Sequence, residues 1–149
     1  ALGVRVCVMR IGVVLDRDGG ALAKMLPAFR LGGGGRLGTG RQYFPWIHRE
    51  DMAAICEWLL DNPKARGAYN ASAPAPVTNA DFTSALGRAL ARPTVVPVPA
   101  AALKLLFGEM SELLLVSDRM LPTRLLEAGF KFRYPDLAPA LAAILARRA

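Results

Sequence analysis

Residues 3–15, GVRVCVMRIGVVL, are apolar almost throughout and dense in valine and isoleucine. A strand with one wet face alternates apolar and polar residues. One that is apolar at successive positions suits a place covered on both faces, as inside a parallel sheet. Parallel neighbours need crossover connections and helices on both sides. Only short extended segments follow, around YNAS (69–72) and TVVPV (94–98). The expected class is therefore α/β, with few strands beside a helical cluster. The sheet partners that the first ribbon calls for are expected to lie outside these residues, making the chain the C-terminal part of something larger.

The connecting segments carry recognisable local signals. DRDGG (16–20) is a turn in which Asp18 or a neighbouring glycine can cap the next helix. That helix has Leu22, Met25, Leu26 and Phe29 at helical spacing, and Pro27 inside it is expected to kink or divide it. GGGGRLGTGR (32–41) reads as a loop, either a flexible connector or a place where backbone approaches a ligand closely. Residues 49–61 form an amphipathic helix with Met52, Ile55, Cys56, Leu59 and Leu60 inward, and His48-x-x-Asp51 resembles a capping box at its start. Thr78-x-x-Asp81 is a clearer box opening the helix NADFTSALGRAL. Helices are also expected over AAALKLLFG and EMSELLLV. Pro122 and Gly129 bracket another, in the expected proline-first, glycine-last order. A last helix is expected from Asp136 to Arg147.

A net charge of +7 invites a nucleic-acid reading, but the basic residues are scattered singly and no basic stripe interleaved with aromatics occurs. No nucleic-acid partner is expected. No apolar run reaches the roughly 18 residues of a membrane helix, and the first residues read as a strand where a leader would have a basic start and a cleavage site. Cys7 and Cys56 read as buried thiols of a cytoplasmic protein. Glu109 and Glu112 sit three apart without His or Asp partners, so no metal site is expected.

The run GTGRQYFPWIHREDM (38–52, with its G-x-G-R-Q-x-x-x-W-I-H-x-x-D pattern) and the tail LPTRLLEAGFKFRYP resemble the C-terminal half of the epimerase-like extended short-chain dehydrogenases/reductases. These include the nucleoside-diphosphate-sugar epimerases, and the family members in question end in a domain of unknown function. The resemblance covers essentially the whole chain. It implies the substrate-side part of a Rossmann-type fold whose dinucleotide-binding half is absent here. The chain is then one substrate-side domain: residues 1–66 form the end of the sheet and the substrate loop, and residues 67–149 a helical C-terminal subdomain. The resemblance implies NAD(P) as cofactor of the complete protein, none for this chain alone, and a small-molecule substrate; the exposed sheet edge near residues 3–15 is expected to make the chain form a homo-oligomer or need extra partners.

In the family a Tyr-x-x-x-Lys pair moves the proton, its lysine lowering the tyrosine pKa. Here Tyr43, Tyr69 and Tyr134 are followed four residues on by Ile47, Ala73 and Ala138. No catalytic residue is therefore assigned, and the chain by itself is expected to be silent. By resemblance, Gly12 and Val13 lie beside the nicotinamide. Arg10, Arg41, Trp46 and His48 are the substrate-side candidates. Arg10 either faces the cleft or makes a structural ion pair; Trp46 either stacks on a ligand or packs in the core. His48 and Asp51 each have a helix-entry reading beside a chemical one. Nucleotide-sugar epimerases carry a phosphate-binding arginine where Phe44 stands here, with Arg41 nearby. The expected function is the substrate-binding portion of an NAD(P)-dependent sugar-nucleotide epimerase or oxidoreductase. The alternative is a stand-alone interaction module.

Overall fold

The computed structural model describes residues 3–95, 97–98 and 117–146. The helices expected over AAALKLLFG and EMSELLLV, with Glu109, Met110 and Glu112, lie outside the described residues.

The valine-rich ribbon is a strand in two parts, β1 (Cys7–Ile11) and β2 (Val13–Leu15), separated by Gly12. After helix α1 (Gly20–Arg30) come β3 (Tyr43–Phe44), β4 (Trp46–His48) and helix α2 (Arg49–Asp61). Strand β5 (Gly67–Ala71), β6 (Val77–Thr78), helix α3 (Asn79–Leu90), the short helix α4 (Thr123–Glu127) and helix α5 (Leu137–Ala146) complete the order. β1 pairs in parallel with β5, Cys7 opposite Gly67 through Ile11 opposite Ala71. β2 pairs in parallel with β4, Val13 opposite Trp46. The ribbon changes partner at Gly12: its amide donates to Ala71 O at 3.0 Å, and the next amide, Val13, donates to Pro45 O at 2.7 Å. β4 is thus wedged between β2 and the end of β5, where Ala73 N donates to Trp46 O. β3 and β6 form a small antiparallel pair.

Alternation along β4 divides the interior into two cores. Phe44, Trp46, Leu15, Leu22, Phe29, Phe82, Leu86 and Leu141 pack with α1, α3 and α5. Ile47 points the other way, into a core with Ile55, Leu59, Tyr69, Leu125 and Phe130. On α2, Ile55 and Leu59 are buried as their spacing predicts, but Leu60 is 74% exposed.

Helix α1 runs through Pro27 without interruption and stops at the glycines. Gly32 takes φ +78, and Gly32 N and Gly33 N bond back to Phe29 O and Ala28 O. That is the left-handed helix stop glycine provides without a Cβ penalty. Gly19, with no side-chain bond, holds the N-cap position. The Thr78–Asp81 box forms as expected: Thr78 Oγ1 accepts from Asp81 N at 3.2 Å, and Asp81 Oδ2 accepts from Thr78 N. The Thr78 hydroxyl and amide hold the Asp81 carboxyl below its ordinary 3.8. A depressed folded-state pKa contributes stability above that ordinary value and loses it as pH falls through the folded one. Thr78→Ala should therefore cost about 1 kcal/mol at neutral pH, and the gap to wild type in urea titrations should narrow progressively below pH 3.8.

The two-sided burial expected of the first ribbon is met on one face only. Cys7 and Met9 pack against the core under α2, whereas Val4, Val6 and Val8 are 75%, 63% and 51% exposed. The ribbon's apolar sequence suits a sheet wider than the two strands found here. No helix among the described residues is long and apolar enough to cross a membrane.

Candidate functional site

The carboxyl ends of parallel strands are where open α/β sheets bind ligands, and here those ends are assembled from distant segments. At the centre, Gly12 is held so close to β4 that a Cβ on it would lie 2.9 Å from Pro45 O and 3.1 Å from Pro45 C. Only glycine permits that approach without backbone movement. The amides of Gly12 and Val13 are committed to Ala71 O and Pro45 O. Val13 O also serves the ladder with β4, which leaves the Gly12 carbonyl and the Val13 side chain to face a neighbouring molecule.

The structure brings Gly12, Val13 and Trp46 together across this junction and places His48 opposite Leu15. Trp46 and His48, however, are 1% and 2% exposed. Trp46 is a core side chain, with Nε1 unpaired among the described residues. His48 is the N-cap of α2: its Nδ1 accepts from Glu50 N at 3.1 Å, and its ring stacks on Tyr134 at 3.9 Å between centroids. An accepting Nδ1 carries no proton, so the neutral tautomer has its proton on Nε2.

Arg10 and Arg41 are exposed. Among the described residues neither makes a side-chain hydrogen bond or ion pair, so the ion-pair reading of Arg10 finds no partner. Arg10 is beside Asn70 on the neighbouring strand, while Arg41 sits at the far end of the loop, its amide on Thr39 Oγ1. The two are not brought together. Phe44, where the resemblance implied an arginine, is buried and lies 4.3 Å from the Phe82 ring. The backbone there aims this side chain into the core.

Sequence reasoning missed the contacts that tie the C-terminal segment to the strand ends. Those of Asp51 are the foremost. Its oxygens accept from Arg133 N at 2.7 Å and Tyr134 N at 2.9 Å, in place of the first-turn cap its position suggests. Glu50 adds an ion pair to Arg133. On the other flank Ser72 Oγ donates to Met120 O and Asn70 Nδ2 to Leu121 O. Arg124 Nη1 and Nη2 donate to Ala68 O and Arg66 O at 2.6 and 2.9 Å, with the guanidinium 4.1 Å from the Tyr69 ring centroid. Gly67 N bonds Val6 O, so the carbonyls of the even-numbered residues beside it face the outer edge of β5. Arg124 seals that edge. No local pattern could reveal this, because its partners lie more than 50 residues away.

The opposite edge differs. Among the described residues nothing pairs with the outer side of β1. Beside it Arg5, Cys7, Met9, Cys56, Leu59 and Leu60 line a cleft of about 330 Å³. Arg5 is structural, its guanidinium donating to Leu59 O and Leu60 O at the carboxyl end of α2.

Comparison with known proteins agrees with this architecture. The domain of unknown function DUF1731 matches residues 98–144. The mouse epimerase family protein SDR39U1 is 46% identical over 143 residues, covering 95% of this chain and 49% of that protein. The chloroplastic SDR39U1 homologue of Arabidopsis thaliana is also 46% identical, over 95% of this chain and 41% of its own length. The crystal structure of human SDR39U1 (isoform 2) with NADPH superposes with a TM-score of 0.87 at 42% identity, over 94% of this chain and 48% of that one. The nucleoside-diphosphate sugar epimerase of Corynebacterium glutamicum gives 0.70 at 33% identity, over 96% of this chain and 26% of that one. The chain spans about half the length of the curated relatives it matches first.

Proposed function

Along 95% of its length this chain is the counterpart of the C-terminal half of epimerase family proteins, and on that premise we propose that it forms the substrate-side half of an NAD(P)-dependent sugar-nucleotide epimerase or oxidoreductase. The observation that carries this reading is the asymmetry of the sheet. One edge is closed by Arg124, while the other, along β1, pairs with no strand among the described residues and lies beside an apolar face. A long apolar strand edge left bare is a template for pairing. Its occupant in this reading is the dinucleotide-binding half, whose strand would extend the sheet and whose helices would cover Val4, Val6 and Val8.

In the assembled protein NAD(P) supplies hydride transfer, and this chain's residues position what reacts. Gly12 and Val13 sit at the partner-changing point, where a carbonyl can meet the nicotinamide. Arg10 and Arg41 offer guanidinium groups to an anionic part of the substrate. Trp46 and His48 act from within, the first fixing β4 and the second the start of α2. The tyrosine and lysine of the proton-transfer pair come from the other half. NADPH is bound by the human relative's crystal structure and NAD by the more distant UDP-glucose 4-epimerase of Thermus thermophilus; both dinucleotides belong in the test.

The experiment is a fluorescence titration with NADPH and NAD. The chain alone should give no saturable change, and the chain mixed with the dinucleotide-binding half of the mouse relative should bind. Mixing should also slow reaction of Cys7 and Cys56 with a thiol reagent, since both line the cleft at the open edge. Coenzyme binding by the isolated chain, or cysteine reactivity indifferent to the other half, would count against the reading.

A further inference from the structure

A second cavity, of about 60 Å³, lies between α1, the glycine run and α3, away from the open edge. We propose that it is a binding site for a compact, uncharged ring bearing a carbonyl group. This goes beyond the function proposed above, because every wall belongs to this chain and nothing from a coenzyme-binding half is needed.

Three features define the ligand. The first is flatness. Gly34 lies so close to the Phe29 ring that a Cβ would stand 2.5 Å from it. Gly34 and Phe29 thus form a tightly packed part of the lining, to which Phe82 adds a second aromatic side chain. Such surfaces suit a planar or nearly planar body.

The second is a pair of donors on the cavity wall. Asn79 and Thr83 line the cavity and are 1% and 4% exposed. Asn79 Oδ1 accepts from Leu37 N at 2.8 Å, which fixes the amide orientation and leaves Nδ2 as the donor. Among the described residues neither that Nδ2 nor the Thr83 hydroxyl donates a hydrogen bond to the protein. Donors on the wall of an otherwise apolar cavity are complemented by an acceptor such as a carbonyl oxygen.

The third is size and charge. A water needs at least about 10–15 Å³ on this measure, so the space matches a handful of heavy atoms, a single ring. The remaining lining is largely apolar and its charged residue, Lys24, is exposed. A charged ring would lose its hydration there without a buried counter-ion.

δ-Valerolactam is the probe, titrated into the chain while the Met25 methyl and the Asn79 side-chain amide are followed by NMR. Both signals should shift saturably, with a dissociation constant on the order of 1 mM, as befits so few atoms. Cyclohexane, the same ring without an acceptor, should bind more weakly. Thr83→Val keeps the shape and removes the hydroxyl; it should weaken the lactam about fivefold and leave cyclohexane unchanged. Absence of saturable lactam shifts would overturn the site. Equal binding of lactam and cyclohexane, or a Thr83→Val variant that binds both as wild type does, would overturn the assignment of the donors.

Discussion

Replacing Gly12 by alanine is expected to destabilise the protein by about 3 kcal/mol, the upper range for forcing a methyl group into a packed interior. The new Cβ would stand 2.9 Å from Pro45 O and 3.1 Å from Pro45 C. Backbone held in a sheet cannot swing aside as a flexible side chain can. Relief must come from pulling β2 away from β4, which strains the bond from Val13 N to Pro45 O and the neighbouring one from Gly12 N to Ala71 O. Against total stabilities of about 5–15 kcal/mol, such a loss is large. A shifted urea midpoint with unchanged slope is the expected signature. Gly33→Ala is the control, since a Cβ there meets only Ala28 O at an ordinary 3.5 Å and its φ is not positive; it should stay within about 0.5 kcal/mol. Equal midpoints for the two variants would refute the role given to Gly12.

Asp51→Ala should cost a comparable amount, about 3 kcal/mol, for a different reason. The carboxylate is 2% exposed and accepts from two successive amides, Arg133 N and Tyr134 N. Removing it leaves both donors without their acceptor, at about 1–3 kcal/mol for each one shielded from water. Asp51→Asn keeps one acceptor oxygen and should retain roughly half of the stability lost by the alanine variant. Because the bonded amides are 82 and 83 residues away along the chain, the damage should be regional. Hydrogen exchange at the Tyr134 amide should accelerate before that of the α1 interior. Uniform acceleration throughout the molecule would show that Asp51 has no special hold on the C-terminal segment.

These two residues mark where sequence reading stopped. The spans of α2 and α3, the Thr78–Asp81 box, the Pro122–Gly129 bracket and the opposed faces of Trp46 and Ile47 were legible because each depends on residues within a few positions of one another. The family likeness was legible too, carried by the W-I-H run and the FKFRYP tail. Asp51 looked like a cap because three-residue spacing from a helix entry is all that a local pattern can express. Its actual partners come from the far end of the chain. Trp46 and His48 were legible as sharing a face, but not that this face is dry. The same holds for Phe44, whose burial against Phe82 depends on a residue 38 positions away.

By itself, the sequence determined most of the described helix and strand segments and that the first strand carries apolar residues on both of its faces. Backbone torsions, caps and side-chain alternation are settled by neighbours one to four positions apart, so they survive in a linear reading. Only the tertiary structure decided that Gly12 is where the ribbon changes partner, that Arg124 closes one edge while β1 keeps the other, and that Asn79 and Thr83 turn two donors into a shared cavity. Those outcomes depend on which distant groups exclude water from one another, and burial is a property of the packed assembly that no stretch of chain possesses alone.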